Sequence, residues 1–169
     1  MEFINLVNEV RMNAKLKKKE MTFEMLAVRT MIQMVAPAMD DLSKKSYDVL
    51  MEFMPEFSGT FLDVGCYGGW VYHHVKDRVD YTGIDSWPTG IKVGKTLFGD
   101  RFKLASVMDY EEKHDIVWAS HLQPEFTITK EVVLKLKSLS RKLLVIIDGG
   151  VEAIPNPSAR GHNWVAFRK

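Results

Sequence analysis

The run Phe61-Leu62-Asp63-Val64-Gly65-Cys66-Tyr67-Gly68-Gly69 places a carboxylate beside closely spaced glycines, and a second carboxylate, Asp85, ends the next apolar run. Glycines allow a sharp turn and a close approach of backbone to a ligand, and the start of the helix that follows offers free N–H groups. An acid closing the next strand can accept hydrogen bonds from both hydroxyls of a ribose. Together these features suit a nucleotide-type cofactor. A dinucleotide site wraps G-x-G-x-x-G around a pyrophosphate. Asp63 at the start of this turn would repel a diphosphate and suits a ligand carrying positive charge, held directly or through water. The alternative is a plain strand-to-helix turn that binds nothing.

The run resembles the first motif, D-x-G-x-G-x-G, of the class I (Rossmann-like) S-adenosylmethionine-dependent methyltransferases, and Asp85 resembles the acid of their second motif. The chain departs at the middle glycine, which is Tyr67; a residue with a side chain is expected to keep ordinary dihedrals there and to crowd the methionine tail. The resemblance implies S-adenosyl-L-methionine as cofactor and S-adenosyl-L-homocysteine as product. It puts Asp63, Gly65, Cys66, Tyr67 and Gly69 around the methionine end, Asp85 on the ribose, and Ser86 beside the adenine. Trp87 either stacks on the adenine or packs under the loop. Aligning residues 104–109 puts Ser106 at the adenine edge and Val107 beside the ring, with Asp109 as the substitute if the loop slips.

The fourth strand, 114–119, runs into Ser120 and His121. Ligands of open α/β sheets sit outside the carboxyl ends of the strands, so Ala119, Ser120 and His121 should face the transferable methyl. His121 is the candidate base for a hydroxyl acceptor; a histidine bonded to a backbone carbonyl is the structural alternative. Trp118-Ala119-Ser120-His121 is similar to the fourth motif of small methyltransferases of the "type 11" kind, without their second histidine, since Leu122-Gln123-Pro124-Glu125 follows. The N/D-P-P-Y/F tetrapeptide of methyltransferases acting on DNA amines is missing, which argues against DNA as substrate. Asp148, ending the fifth strand, either touches the acceptor or caps the Gly149-Gly150 turn.

These residues need a scaffold, and from residue 60 onward strands and helices alternate as a parallel sheet requires. The expected strands are 60–64, 79–84, 102–104, 114–119, 143–147 and 162–168. This gives an α/β Rossmann-like fold: a mostly parallel sheet of about six strands with an antiparallel last strand, flanked by helices and shortened at its C-terminal end. Residues 1–55 read as a helical N-terminal cap, with Thr22 and Asp40 or Asp41 starting helices and Lys15, Lys17, Lys18 and Lys19 forming a basic run. Residues 60–169 read as the cofactor-binding core, and the whole, 1–169, as one domain.

Composition narrows the partners. With 23 basic against 22 acidic residues, no global field steers the chain to nucleic acid or acidic membranes. Cys66 is the single cysteine, so no internal disulfide forms and a reducing, cytoplasmic location is expected. No apolar run reaches membrane-span length, and no metal is expected. The expected function is methyl transfer to oxygen, nitrogen or carbon of a small molecule or exposed side chain; the alternative is a non-catalytic module that binds the cofactor or a partner. Oligomeric state stays open.

Overall fold

The computed structural model describes residues 21–36, 41–120, 122, 128–147, 151 and 154–169; the expected first helix with its lysine run lies outside these. The elements are α1 (Phe23–Val35), α2 (Asp41–Phe53), β1 (Gly59–Val64), α3 (Trp70–Val75), β2 (Val79–Asp85), α4 (Pro88–Phe98), β3 (Phe102–Leu104), β4 (His114–Ser120), α5 (Lys130–Leu139), β5 (Ser140–Ile147), β6 (Ala159–Arg160) and β7 (Trp164–Arg168). Thr22 starts α1 as expected, its hydroxyl accepting the Met25 N–H at 3.3 Å. Thr129 does the same for α5 through the Val132 N–H at 3.4 Å. After α2, Pro55 sits at the start of a 3-10 turn over Met54–Glu56, where its missing N–H costs nothing.

The strands form one sheet in the order β3-β2-β1-β4-β5-β7-β6. β1 to β5 run parallel, and β7 lies antiparallel to both β5 and β6. Among the described residues the sheet has seven strands, the six expected ones and one more. The extra one, β6, is two residues long and has no apolar run to announce it.

Side chains alternate across the sheet, as the pleat dictates. Phe61, Tyr81, Trp118, Val145 and Ala166 face α2 and α3, meeting Leu50, Phe53, Trp70, Val71 and Val75. Leu62, Ile84, Val117, Leu144, Ile146 and Val165 face the other way, toward Val132, Val133, Leu136 and Leu139 of α5. Between β3 and β4 the chain makes a turn, not a helix, and lays Val107 and Tyr110 onto that second face. The strand order reverses at β1, which has β2 on one side and β4 on the other, so the crevice expected of open α/β sheets opens beyond Val64 and Ser120. Among the described residues, no helix is long and apolar enough to cross a membrane.

The connection from β1 to α3 leaves little tolerance. Gly69 has φ +89, and a Cβ there would press on the Phe102 ring. Gly69→Ala is expected to cost about 2–4 kcal/mol, combining left-handed strain with overpacking. Urea unfolding should show a lower midpoint with an unchanged m-value.

Candidate functional site

The loop after β1 is bound tightly to the end of β2. Gly65 and Cys66 both donate their N–H to the Ile84 carbonyl, at 2.9 and 3.1 Å, and Gly69 donates to the Cys66 carbonyl at 2.9 Å. The Tyr67 N–H donates to Asp85 Oδ2 at 3.0 Å, while Asp85 Oδ1 accepts the Trp87 N–H at 2.9 Å. Four amides of the loop, those of Gly65, Cys66, Tyr67 and Gly69, are thus spent inside the fold, three of them on a carbonyl and a carboxylate at the end of β2. Such a loop is a poor cradle for a diphosphate, which needs those N–H groups.

Tyr67 does not keep the ordinary dihedrals expected of it. Its φ is +56, the left-handed conformation a glycine would take at this place. The cost is about 1–2 kcal/mol. Tertiary contacts offset it: the ring lies 5.2 Å from that of Trp87, and the phenol donates to Met21 Sδ at 2.9 Å. Trp87 therefore packs beside the loop residue and stays half-buried. Two glycines permit the approach of neighbouring helices. A Cβ on Gly90 of α4 would stand 2.9 Å from the Tyr67 carbonyl, and one on Gly68 would collide with Thr30 of α1. Helix α1 consequently rests directly on the glycine-rich loop.

Asp63 lies one residue before the end of β1 and is 1% exposed. The Tyr81 phenol donates to its Oδ2 at 2.7 Å. Its Oδ1 is buried without a hydrogen-bond partner among the described residues. Burial pushes the Asp63 carboxyl up to about 7, the Tyr81 hydrogen bond pulls it down, and the neighbouring Asp85 charge adds to the rise. The Tyr81 phenol is itself held well above its ordinary value, first by burial and then by the Asp63 charge.

The remaining expected site residues spread around the same edge. Gly65, with φ +75, leaves the space that Leu122 occupies: a Cβ there would meet Leu122 Cδ2 at 2.8 Å. Cys66 is buried, with its thiol 3.9 Å from the Tyr67 carbonyl. Ser86 is exposed just beyond Asp85. Ser106 is half-buried, and its hydroxyl accepts the Met108 N–H at 3.2 Å. Val107 is buried against the second face of the sheet, Asp109 is exposed, and Ala119 and Ser120 are buried at the end of β4. His121 and Asp148 lie outside the described residues. Among those described, no group of three or more His, Cys, Asp or Glu side chains could hold a metal.

Sequence reasoning missed Tyr81, Thr30 and Met21. Tyr81 carried no signal without the register: Asp63 pairs with Gly83 in the ladder, which puts Tyr81, two residues earlier, on the Asp63 face. Thr30 and Met21 carried none, because their contacts depend on where α1 docks.

No protein-family model and no curated protein matches the chain. Solved structures do match. Magnesium protoporphyrin IX methyltransferase from Synechocystis, with bound S-adenosylhomocysteine, superposes with a TM-score of 0.54 at 12% identity, covering 69% of this chain and 62% of that one. The chain has the Rossmann-like methyltransferase fold. The N-methyltransferase NodS from Bradyrhizobium japonicum, in complex with S-adenosylhomocysteine, shares the methyltransferase fold at a TM-score of 0.52 and 12% identity, covering 63% of this chain and 62% of that one. A Thermoplasma acidophilum protein gives 0.51 at 17% identity, with 65% and 63% covered. The chain spans less than two thirds of the length of each of these three structures.

Proposed function

We propose that the chain is an S-adenosylmethionine-dependent methyltransferase, organised as one domain in which residues 1–55 cap a cofactor-binding core. The observation that carries this reading is the buried Asp63 oxygen without a partner, set under a loop whose amides are already committed. A buried acceptor of this kind calls for a donor, and a cationic one relieves the cost of ionising Asp63. The α-ammonium and sulfonium of S-adenosylmethionine meet that demand, whereas a pyrophosphate would add charge of the wrong sign. The fold supports the same reading, since structures sharing it carry S-adenosylhomocysteine.

Asp63, Gly65, Cys66, Tyr67 and Gly69 would seat the methionine end and Asp85 the ribose, with Ser86, Ser106 and Val107 around the adenine. When bound, the cofactor supplies a methyl group activated by its positive sulfur. Ala119 and Ser120 would line the approach to it, and His121 would take the proton of an oxygen or nitrogen acceptor on a small molecule or exposed side chain. One observation favours a module that binds without turnover: Tyr67 fills the middle-glycine position and ties it to Met21, just ahead of α1.

Calorimetry with S-adenosylmethionine and S-adenosylhomocysteine tests the reading, and micromolar binding of both is the expected result. No heat from a folded sample would sink it, and saturable enhancement of NADH fluorescence would replace it with a dinucleotide enzyme. Once an acceptor is found, His121→Ala should lower kcat by about a hundredfold with cofactor Kd unchanged. Unchanged turnover would leave His121 a structural residue.

A further inference from the structure

We propose that Tyr81 is a positioning residue of the cofactor site: its phenol occupies Asp63 Oδ2 and so presents Oδ1 to the cofactor's α-ammonium. The inference rests on the reading above and assigns a role to a side chain outside the glycine-rich loop. It starts from the ladder. Tyr81 and Asp63 stand on the same face of neighbouring parallel strands, and Tyr81 is fixed from below and from the sides. Its ring stacks on Phe61 with centroids 5.9 Å apart, and meets Tyr72 at 5.1 Å and Phe102 at 5.6 Å. A ring held by three others has no freedom to swing away, so its hydroxyl stays 2.7 Å from Oδ2.

Both partners are withdrawn from water, at 1% and 2% exposure. A hydrogen bond between buried groups, one of them ionisable, is worth more than an exposed one. Its direction also matters. A phenol donating to a carboxylate favours the charged form, and only the charged form attracts an ammonium. Among the described residues, the ionisable groups that act on Asp63 are Tyr81 and Asp85 on β2, with Cys66 of the loop beside Tyr81. Its ladder partner on β4, Trp118, has no charge to offer. Asp85 and burial both oppose ionisation of Asp63, and Tyr81 opposes them. With one oxygen satisfied by the phenol, the ammonium has a single open acceptor to find, which fixes the end of the methionine tail.

The test is calorimetric binding of S-adenosylmethionine across pH for wild type, Tyr81→Phe and Asp63→Asn. Wild-type affinity should rise with pH about a midpoint near 7, following Asp63. Tyr81→Phe keeps the ring packing and removes only the donor. Its midpoint should move up by about one pH unit, with affinity at about pH 6.5 falling roughly eightfold and affinity well above the midpoint nearly restored. Asp63→Asn should lose the pH dependence altogether. An unshifted midpoint in Tyr81→Phe, or an equal loss at every pH, would reduce Tyr81 to a packing residue and overturn the inference alone. Absence of binding by wild type at any pH would overturn the cofactor reading and this one with it. A second measurement avoids a destabilised variant. Protein made with 3-fluorotyrosine, whose more acidic phenol is a stronger donor, should show the midpoint displaced downward, and an unmoved or raised midpoint would also overturn the role.

Discussion

Asp85→Ala is expected to lose both cofactor affinity and fold stability, and the two losses can be measured separately. In the free protein the Asp85 carboxylate accepts the Tyr67 N–H on one oxygen and the Trp87 N–H on the other. The side chain is 4% exposed, so alanine would leave two N–H groups poorly satisfied in a region water reaches badly. Each such orphan costs about 1–3 kcal/mol. A total near 3 kcal/mol would lower Tm by roughly 6–12 °C in a chain of this size. The loss requires no ligand and holds whether or not the chain binds one. The second loss depends on the proposed role. If Asp85 accepts ribose hydroxyls on its remaining lone pairs, alanine should weaken S-adenosylmethionine binding by about a hundredfold, read below the Tm of the variant. Asp85→Asn should fall between, since the amide keeps one acceptor but turns a donor toward the other N–H. A lower Tm with wild-type affinity would make Asp85 a pin that holds the loop to β2, and the ribose contact would be withdrawn.

The order of strands and helices from residue 60 onward was legible because the strands, β3 and β6 apart, carry apolar side chains in runs or alternation bounded by turn residues. Even the split of Trp164 and Ala166 from Val165 and Phe167 follows from period-two alternation. The glycine-rich loop was legible as a loop, and its conformation was not. Left-handed backbone announces itself through glycine, and at Tyr67 the chain takes that conformation with a side chain whose supports, Met21 and Trp87, are distant in sequence. Met21 stands 46 positions away. The same limit hid the partner of Asp63, since Tyr81 reads as one more aromatic strand residue until the parallel register of β1 and β2 is known. β6 was missed for a different reason: two residues, Ala159 and Arg160, are too few to show a period.

Asp63→Asn should stabilise the protein at alkaline pH while weakening cofactor binding at least tenfold. The carboxyl titrates at about 7 in the fold against 3.8 for its ordinary value. A raised value means that the folded state holds the proton more tightly than the unfolded chain. The stability Asp63 contributes is therefore fully present below about pH 4 and is lost progressively as pH rises to about 7, beyond which a buried charge persists at constant cost. A shift of this size corresponds to a ceiling of about 4 kcal/mol, and relaxation around the charge should leave about 2 kcal/mol. Asparagine is neutral at every pH, and its carbonyl oxygen can still accept from the Tyr81 phenol. Urea unfolding should accordingly give a higher midpoint for Asp63→Asn than for wild type at about pH 8, with the difference shrinking as pH falls and vanishing at about pH 3, below the unfolded-state value. Equal effects at both pH values, or a less stable variant at the higher one, would refute the ionised buried carboxylate. The same substitution removes the negative charge that the α-ammonium requires, so calorimetry at the higher pH should find S-adenosylmethionine binding weakened at least tenfold in the more stable protein. A side chain retained at a cost to the fold, and needed by the ligand, is expected at a binding site. In this fold that cost falls on the strand end where the strand order reverses, with Tyr81 beside it to limit the penalty.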